Sequence, residues 1–461
     1  MRLRVTAILA VFILAVGGAA PTPPQDATMP SGTAVAGPVD GVRFVVAWMQ
    51  DADPVKAAQG AYDLGVAAMR TQPKAIVFFE SFSEEGAAAA LKALRTRAGS
   101  IPSVGTKAPA LVNGGAMQAN TMALLLVGGD RANVQIARAE LNNDRERTGT
   151  QLANALRGVS DLKVVIALSE PKLSFEDGVT VEGFLRGVLD TLGKDVSLWG
   201  GNGRGLRGLA GVQYYNDEIL TNHVVALGLG GPISVVYSTS TEFQPVGEPV
   251  TVTKVADFDP KIVLEFDGRP APEVYRERRG MPADEKFTRD AEHPIGVITR
   301  PGSVYVRQVL GAYPLQSEMV ERAIASDPYY GKLDDSVRGL RFVAPVPVGT
   351  KAYVLKGGQS ATRIYESANQ CVSEMLAAVP EGKKPMLGLI SSCITRNSRI
   401  NRFTKATGDE VYGGILPAMG TSPFPLLGFY AWGEIGHING EYKGLPYQYQ
   451  QHSFVPILIV Q

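Results

Sequence analysis

The sequence is poor in cysteine and shows no excess of charge of either sign. Cys371 and Cys393 are the only two cysteines in 461 residues, which excludes a scaffold held together by disulfides and leaves open whether the two thiols pair. The 45 basic side chains balance 45 acidic ones, so the basic excess typical of nucleic-acid-binding proteins is missing. Hydrophobic residues make up 45% and charged residues 20%, a composition that predicts a folded protein with a sizeable core.

Motifs of several enzyme classes are also missing. The sequence has four histidines, none of them in an H-E-x-x-H pattern or paired with a C-x-x-C motif, so no zinc site is predicted. It has no P-loop and no G-x-S-x-G nucleophile turn. Residues 203–208 match G-x-G-x-x-G, but the residues after them lack the pattern of a helix, which a dinucleotide site requires. We therefore expect no cofactor and no metal.

The first twenty residues have the pattern of a secretory signal peptide. Arg2 and Arg4 precede an apolar run over residues 7–16, and small residues follow it. The run is shorter than the roughly 20 residues that cross a bilayer as a helix. Residues 21–40 are rich in proline, glycine and alanine and predict a flexible linker. We expect an exported protein, periplasmic or secreted, that is not inserted in a membrane after residues 1–20 are cleaved; an uncleaved anchor or a misplaced start is the alternative.

The rest of the chain alternates apolar strands with helices. Val42–Trp48 predicts a strand, and the Asp53-Pro54 pair marks the start of a helix. A long helix is expected over residues 132–156. Adjacent strands in the first half favour mixed sheets over a strictly parallel sheet. The pattern therefore predicts an α/β protein with mixed β-sheets and flanking helices.

A change in composition marks the boundary between two predicted domains. Threonine, valine and lysine alternate within residues 247–265, and a turn follows at residues 267–270. We place the junction in this region. The prediction is an N-terminal domain of residues 41–255 and a C-terminal domain of residues 256–461.

Two apolar strands of the C-terminal half end in groups that can bind or react. Cys393 and Arg396 follow one strand, and Gly433 and Glu434 follow the next. Ligands of α/β proteins gather at the carboxyl ends of strands, so a thiol, a guanidinium and a carboxylate would meet there if the two strands are neighbours. A glycine beside Glu434 lets the backbone approach closely. An ion pair between Arg396 and Glu434 next to a buried cysteine explains the same residues equally well.

Two groups of motifs resemble the FIST family, sensory domains named for F-box and intracellular signal transduction proteins. Residues 244–254 (QPVGEPVTVTK) and 264–271 (LEFDGRPA) are similar to the centre of the family's domain. The S-C-x-x-R pattern that ends at Arg396, and residues 428–435 (GFYAWGEI), are similar to its closing motifs. The resemblance covers residues 41–461, as an N-terminal FIST domain and its C-terminal partner. It implies a sensor of small ligands, with amino acids as suggested ligands and without established catalysis.

The sequence departs from the family pattern at two places. Lys107 stands where the family has an acidic turn after Gly105 and Thr106. This departure argues against a ligand contact in the N-terminal domain. Near the end of the chain, His452 matches a histidine of the family, but Ser453 replaces the asparagine that usually follows it. The resemblance implies that His452 belongs to the site.

The leading hypothesis is an exported, non-enzymatic sensor of a small polar ligand, with amino acids as candidates. Its site would contain Cys393, Arg396, Gly433, Glu434 and His452. Arg396 would hold a ligand carboxylate in two parallel hydrogen bonds, and Glu434 would hold its ammonium group.

Two alternatives stay open. In the first, Cys393 is the nucleophile of a thiol enzyme and His437 or His452 is its base. In the second, the protein is a scaffold that docks to a signalling partner in the cell envelope. No nucleic acid partner is expected in either case.

Overall fold

The computed structural model describes residues 31–38, 40–171, 173, 181–207, 210–282, 290–300, 303–313, 339–421, 423–442 and 444–461. The predicted signal peptide and residues 21–30 of the predicted linker lie outside the described residues, as does part of the G-x-G-x-x-G match at 203–208. Among the described helices, none has the length and hydropathy needed to cross a bilayer.

Strands outnumber helices in the described part of the chain. The helices are α1 (Pro54–Met69), α2 (Glu84–Ala98), α3 (Arg145–Leu156), α4 (Val181–Leu192), α5 (Ala271–Arg279), α6 (Ala361–Ala377), α7 (Ile394–Thr404) and, after a π-helical turn at Val411–Ile415, α8 (Leu416–Met419). The strands of the first half are β1 (Ser31–Ala36), β2 (Arg43–Gln50), β3 (Ala75–Glu80), β4 (Ser103–Lys107), β5 (Ala110–Val112), β6 (Gly115–Met117), β7 (Thr121–Gly128), β8 (Asn133–Glu140), β9 (Leu162–Ser169), β10 (Ser197–Asn202), β11 (Gly205–Arg207), β12 (Ala210–Gly211), β13 (Gln213–Tyr215), β14 (Glu218–Leu220), β15 (His223–Gly230) and β16 (Ser234–Tyr237). Those of the second half are β17 (Gln244–Val255), β18 (Ile262–Phe266), β19 (Arg269–Pro270), β20 (Asp290–Arg300), β21 (Ser303–Tyr313), β22 (Gly339–Phe342), β23 (Lys351–Lys356), β24 (Pro385–Cys393), β25 (Leu426–Ala431), β26 (Glu434–Tyr442), β27 (Leu445–Gln450) and β28 (Phe454–Val460).

Four large sheets carry the fold. Their strand orders are β1-β2-β7-β3-β4-β13-β14 in sheet I, β27-β26-β10-β9-β15-β8 in sheet II, β16-β28-β24-β25-β5-β6 in sheet III and β17-β23-β20-β21-β22-β18-β19 in sheet IV. Sheets I, II and III each combine a parallel pair with antiparallel pairs. The prediction of an α/β fold with mixed sheets is confirmed.

Helices α1 and α2 cover one face of sheet I. The Asp53 carboxylate accepts a hydrogen bond from the backbone N–H of Val55 at 2.9 Å and so caps α1, and Pro54 occupies its first turn, as the sequence predicts. Small residues such as Ala57 and Ala61 let α1 lie close to the large side chains of sheet I, and these alanines share a core with Phe78 and Leu124.

Sheets I, II and III share a central core. Apolar side chains from β2, β9, β24 and β28 meet there, among them Phe44, Ile166, Leu389 and Ile457, all fully buried. Because these strands are covered on both faces, their sequences are nearly continuous apolar runs and do not alternate with polar residues. Sheet IV has a separate core, which Ile438 of β26 also enters.

Strands from both sides of the predicted domain junction pair with one another. The junction between residues 255 and 256 coincides with the end of β17. However, β10 pairs with β26 in sheet II, and β5 and β16 pair with β25 and β28 in sheet III. The two halves of the chain are therefore interleaved in these sheets, and the division into domains at residue 255 stays a prediction.

Two sequence-based assignments need correction. Residues 31–36 of the predicted flexible linker form β1, which pairs with β2 from Ser31 opposite Met49 to Ala36 opposite Phe44. This pairing uses backbone hydrogen bonds at the edge of the sheet, so it does not depend on the composition that suggested a linker. The predicted helix over 132–156 is strand β8 in its first part, because β8 pairs along its length with β15. Helix α3 begins only at Arg145, where Asp144 caps it.

Candidate functional site

The two strand ends singled out in the sequence are neighbours. Strands β24 and β25 are parallel and adjacent, and Cys393 lies opposite Ala431 in their register. Helix α7 starts directly after Cys393. On the other side, β26 begins at Glu434, which lies opposite Gly201 of β10. The two strand ends therefore lie side by side, and β10 of sheet II adjoins the second of them through its pairing with β26.

Cys393, Thr395, Glu434 and His452, which we call the strand-end cluster, lie together in the interior. The Cys393 sulfur is 3.0 Å from Thr395 Oγ1, which is 2.8 Å from His452 Nδ1. Glu434 interacts with the Cys393 side chain and accepts a hydrogen bond from the backbone N–H of Ser453 at 3.2 Å. Glu434 and His452 are 0% exposed and Cys393 is 6% exposed, so a dissolved ligand has almost no access to the cluster.

The replacement of the usual asparagine by Ser453 has a simple structural consequence. Ser453 reaches Glu434 through its backbone N–H, a group that nearly every residue supplies. Its hydroxyl donates instead to the carbonyl oxygen of Gln451. The contact to Glu434 therefore does not need the side chain that the family usually has at this position.

Gly433 is required by close packing. Its φ is +134°, a backbone conformation that favours glycine, and an added Cβ would come within 1.7 Å of the Tyr449 hydroxyl. That hydroxyl donates a hydrogen bond to the carbonyl oxygen of Trp432 at 3.0 Å. Gly433 thus lets Tyr449 lie against the turn that positions Glu434.

Arg396 is held by two carboxylates that the sequence did not indicate. Its Nη1 donates to Glu242 at 2.7 Å, and its Nε and Nη2 donate to Glu410 at 2.9 and 2.6 Å. Nη2 also donates to the carbonyl oxygen of Ile364 and to Ser367 Oγ. The guanidinium, Glu242 and Glu410 are all 0% exposed. Arg396 is therefore enclosed in a buried ion network.

This network corrects one of the two explanations of Arg396 that the sequence left open, the ion pair with Glu434. Arg396 forms its ion pairs with Glu242 and Glu410, not with Glu434. Each of its three guanidinium nitrogens already donates within the protein, so a ligand carboxylate that took two parallel hydrogen bonds would displace a buried carboxylate and leave it without its cation, which is costly. The sequence could not reveal the first partner, because Glu242 is 154 residues away in the chain.

The interior location changes the protonation of the strand-end cluster. Burial raises the pKa of the Cys393 thiol far above its usual range, and the nearby Glu434 raises it further. Burial also holds the pKa of Glu434 well above its ordinary value of 4.5, although the Ser453 N–H acts in the opposite direction. Both groups therefore favour their neutral forms. A thiol in this state is a poor nucleophile, since the thiolate is the reactive species.

His437, which was considered as the base for Cys393, lies in a different environment from that cysteine. Its Nε2 is 3.2 Å from Ser197 Oγ, and its ring stacks on Tyr237 at 3.8 Å between centroids. Burial lowers the pKa of His437 to about 4, which keeps the imidazole neutral. These contacts do not support a role for His437 as the base for Cys393.

An open cleft of about 740 Å³ adjoins the buried residues. Its wall consists of residues within 239–247, which run from the loop after β16 into the start of β17, together with α6, other strands of sheet IV and one residue of β26. Most polar side chains that line it are hydroxyls and amides: Thr239, Ser240, Thr241, Ser367, Gln370 and Asn439. Glu374 adds a carboxylate. This cleft, next to the segment that carries the central family motif, was not predicted from the sequence.

Three contacts connect the cleft with the buried groups. Ser367, on the cleft wall, accepts the hydrogen bond from Arg396 Nη2 at 3.1 Å. The Phe243 ring packs edge-to-face on the His452 ring at 5.3 Å. Thr241 Oγ1 donates to the carbonyl oxygen of His452 at 3.3 Å. The predicted site residues therefore lie behind the cleft wall and do not form its surface.

Lys107 has a structural partner in the N-terminal half. Its Nζ lies 3.6 Å from the buried Glu80 carboxylate, which also accepts a hydrogen bond from the Tyr214 hydroxyl at 2.6 Å. Burial raises the pKa of Glu80, while Lys107 and Tyr214 lower it. The lysine that departs from the family pattern thus neutralises a buried acid.

Neither cysteine is bonded to the other. Cys371 and Cys393 are both buried free thiols, which answers the question that the sequence left open. Within the described residues, no group of three or more His, Cys, Asp or Glu side chains is arranged to hold a metal ion.

Part of this chain matches the model of a known protein family. Residues 74–269 match the model of the FIST N domain, so the resemblance drawn from the motifs is confirmed over this part of the chain. No curated protein matches the sequence.

Two solved structures of cyanuric acid hydrolase are distantly similar. One, described as an evolutionary innovation by structural concatenation, is 9% identical, with 69% of this chain and 100% of that chain covered and a TM-score of 0.27. The other, from A. caulinodans, is 10% identical, with 93% and 99% covered and a TM-score of 0.28. Similarities this low carry no conclusion about the activity of this chain.

Proposed function

We propose, from the FIST N domain that this chain contains at residues 74–269, that the protein is a sensor that binds a small polar ligand in the cleft beside α6. The FIST domain is a sensory domain of signal transduction. The observation that carries the proposal is the cleft itself, since about 740 Å³ lies within the range of about 300–1,000 Å³ typical of small-molecule sites.

The surroundings of the cleft support a sensor. The buried ion network of Arg396 and the strand-end cluster lie behind the wall and contact it through Ser367 and Phe243. In this proposal Cys393, Arg396, Gly433, Glu434 and His452 shape the site from behind and do not touch the ligand. A ligand that moved Phe243 would alter the packing of the His452 ring. Ligand binding in the cleft would then change the arrangement of the buried residues.

Two further elements of the proposal come from the sequence. Export to the periplasm or the medium rests on the pattern of residues 1–20, and sequencing the N-terminus of the mature protein would test it. A signalling partner in the envelope is proposed because a sensor must transmit its signal. A pull-down from envelope extracts would test that part separately.

Thermal unfolding of the full chain with a panel of amino acids, dipeptides and small amines tests ligand binding. A ligand at about 100 times its Kd stabilises the folded state by about 2.7 kcal/mol, which raises the Tm. Gln370→Trp, which places a large side chain in the cleft, should abolish this rise. Thr362→Trp on the same helix is the control, because Thr362 is exposed and does not line the cleft.

The outcome separates the cleft from other sites. If Gln370→Trp leaves the ligand-induced rise intact, the ligand binds elsewhere and the cleft proposal is wrong. If no compound in the panel raises the Tm of the unmodified protein, the proposed function loses its support.

A further inference from the structure

The cleft presents hydrogen-bond acceptors and one carboxylate to its interior, and from this polarity we infer that its ligand is a small cationic amine. The inference rests on the proposed function of the cleft as a ligand site. It differs from the zwitterion expected from the sequence, because the guanidinium that would have held a carboxylate is engaged in the interior.

The hydroxyl groups of the 239–247 segment direct their hydrogens into the protein. Thr239 Oγ1 donates to Gln450 Oε1 at 2.8 Å, Ser240 Oγ donates to the carbonyl oxygen of Ser367 at 2.9 Å, and Thr241 Oγ1 donates to the carbonyl oxygen of His452. A hydroxyl has only one hydrogen to donate. What these three residues can offer to a ligand is therefore the lone pairs of their oxygens, which accept hydrogen bonds.

Ser367 and the two amides of the wall also use donors within the protein, although each amide keeps a second N–H. Ser367 Oγ donates to the carbonyl oxygen of Ile364 at 2.8 Å. The Gln370 amide donates to Glu374 Oε1 at 2.9 Å, and the Asn439 amide donates to the carbonyl oxygen of Thr239 at 3.2 Å. Each of these side chains uses a donor within the protein. A ligand rich in N–H groups complements such a wall better than a ligand rich in acceptors.

Glu374 supplies the charge. Among the lining residues that the structure describes, it is the only acidic one, and none of them is basic. Gln370 donates to one of its carboxylate oxygens and Ser238 donates to the other at 3.2 Å, which orients the carboxylate while leaving lone pairs for a ligand. A hydrogen bond between an ammonium group and a carboxylate is charge-assisted and roughly twice as strong as a neutral one.

The aromatic rings of the wall are compatible with a cation. The Phe243 ring already packs under the Arg399 guanidinium, whose central carbon is 4.9 Å from the ring centroid. Tyr353 is half-buried and lines the cleft, and an aromatic face attracts an ammonium group. We assign Tyr353 as the aromatic contact of the ligand.

Arg278 is the basic side chain that an anionic ligand would use instead. It lies near Gly247 at the rim, where an added Cβ would be 3.3 Å from Arg278 Nη1. Arg278→Gln therefore distinguishes the two ligand classes. An amine should bind this variant unchanged, whereas an anion should lose affinity.

Calorimetric titration of the full chain with four compounds of similar length tests the inference: putrescine, butylamine, butanediol and succinate. Putrescine and butylamine should bind, and the diol and the dicarboxylate should not. Glu374→Gln should weaken amine binding by about 2- to 5-fold, because Glu374 is exposed and solvent screens the attraction of its carboxylate for the amine. Glu366→Gln, an exposed position of the same helix that does not line the cleft, should leave it unchanged.

Three results would overturn the inference. Binding of succinate that Arg278→Gln removes would make the ligand an anion, while the cleft would remain a ligand site. Equal binding of butanediol and the amines would show that charge does not select the ligand, again with the cleft retained. If none of these compounds binds and the broader panel of amino acids and dipeptides also gives no rise in Tm, the proposed function fails together with the inference.

Discussion

Replacing Arg396 with methionine should destabilise the folded protein strongly. Methionine preserves much of the volume of the side chain but removes all of its hydrogen bonds. Those bonds go to the buried carboxylates of Glu242 and Glu410, to the carbonyl oxygen of Ile364 and to Ser367 on the cleft wall. Arg399 also pairs with Glu242, at 2.5 Å, so Glu410 becomes the carboxylate without its cation after the change.

The magnitude follows from that loss. Removing one partner of a buried ion pair costs about 3–5 kcal/mol, because the remaining charge stays buried and uncompensated. Arg402→Met is the matched control, since Arg402 lies on the same helix but is exposed, and substitutions of exposed residues usually change stability by about 0.5 kcal/mol or less. Urea denaturation of both variants, followed by circular dichroism, gives the difference in free energy of unfolding.

A second substitution shows whether the buried charge is the cause. Adding Glu410→Gln to Arg396→Met replaces the uncompensated carboxylate with a neutral amide. The double variant should then lose less stability than the sum of the two single variants, which is the signature of interacting residues.

One result would refute the reasoning. If Arg396→Met unfolds at the same urea concentration as Arg402→Met but no longer responds to a ligand, then Arg396 contacts the ligand directly. The zwitterion site expected from the sequence would be restored in that case.

Two further predictions concern the strand-end cluster and its turn. Cys393 should react with iodoacetamide at neutral pH only as fast as the protein unfolds, because burial raises the pKa of its thiol and only the thiolate reacts; rapid labelling of the folded protein would revive the thiol-enzyme hypothesis. Gly433→Ala should destabilise the protein by about 1–3 kcal/mol more than Gly444→Ala in urea denaturation, because overpacking has about this cost. Both glycines have positive φ, but an added Cβ meets the Tyr449 hydroxyl at Gly433 and open space at Gly444, so equal losses would contradict the packing explanation.

Local features of the sequence predicted the elements that depend on neighbouring residues. The Asp53 carboxylate and Pro54 are close enough in the chain to start α1 by themselves, since the cap bonds the N–H of Val55. The apolar runs before Cys393 and Gly433 predicted β24 and β25, because a strand covered on both faces needs apolar side chains along its whole length. The FIST motifs were recognisable for a similar reason, since each of them lies within one short stretch of chain.

Long-range pairing overrode local preference elsewhere. Residues 133–140 have a composition that suggested a helix, yet they form β8, because β15 supplies a complementary strand edge along the same length. The predicted linker likewise contains β1, which exists because the edge of β2 is available to it. No local signal in either segment carries this information.

The amino-acid sequence was sufficient for the class of fold, the positions of the strand ends and the FIST resemblance. It was not sufficient for the site, because Arg396 has the same guanidinium whether its partner is Glu434, Glu410 or a ligand. The choice among these partners depends on where the topology places carboxylates that are distant in the chain, and Glu242 arrives from the segment that leads into β17. The cleft also depends on the tertiary structure, because its wall combines the segment that leads into β17 with α6, sheet IV and β26, which are distant from one another in the chain.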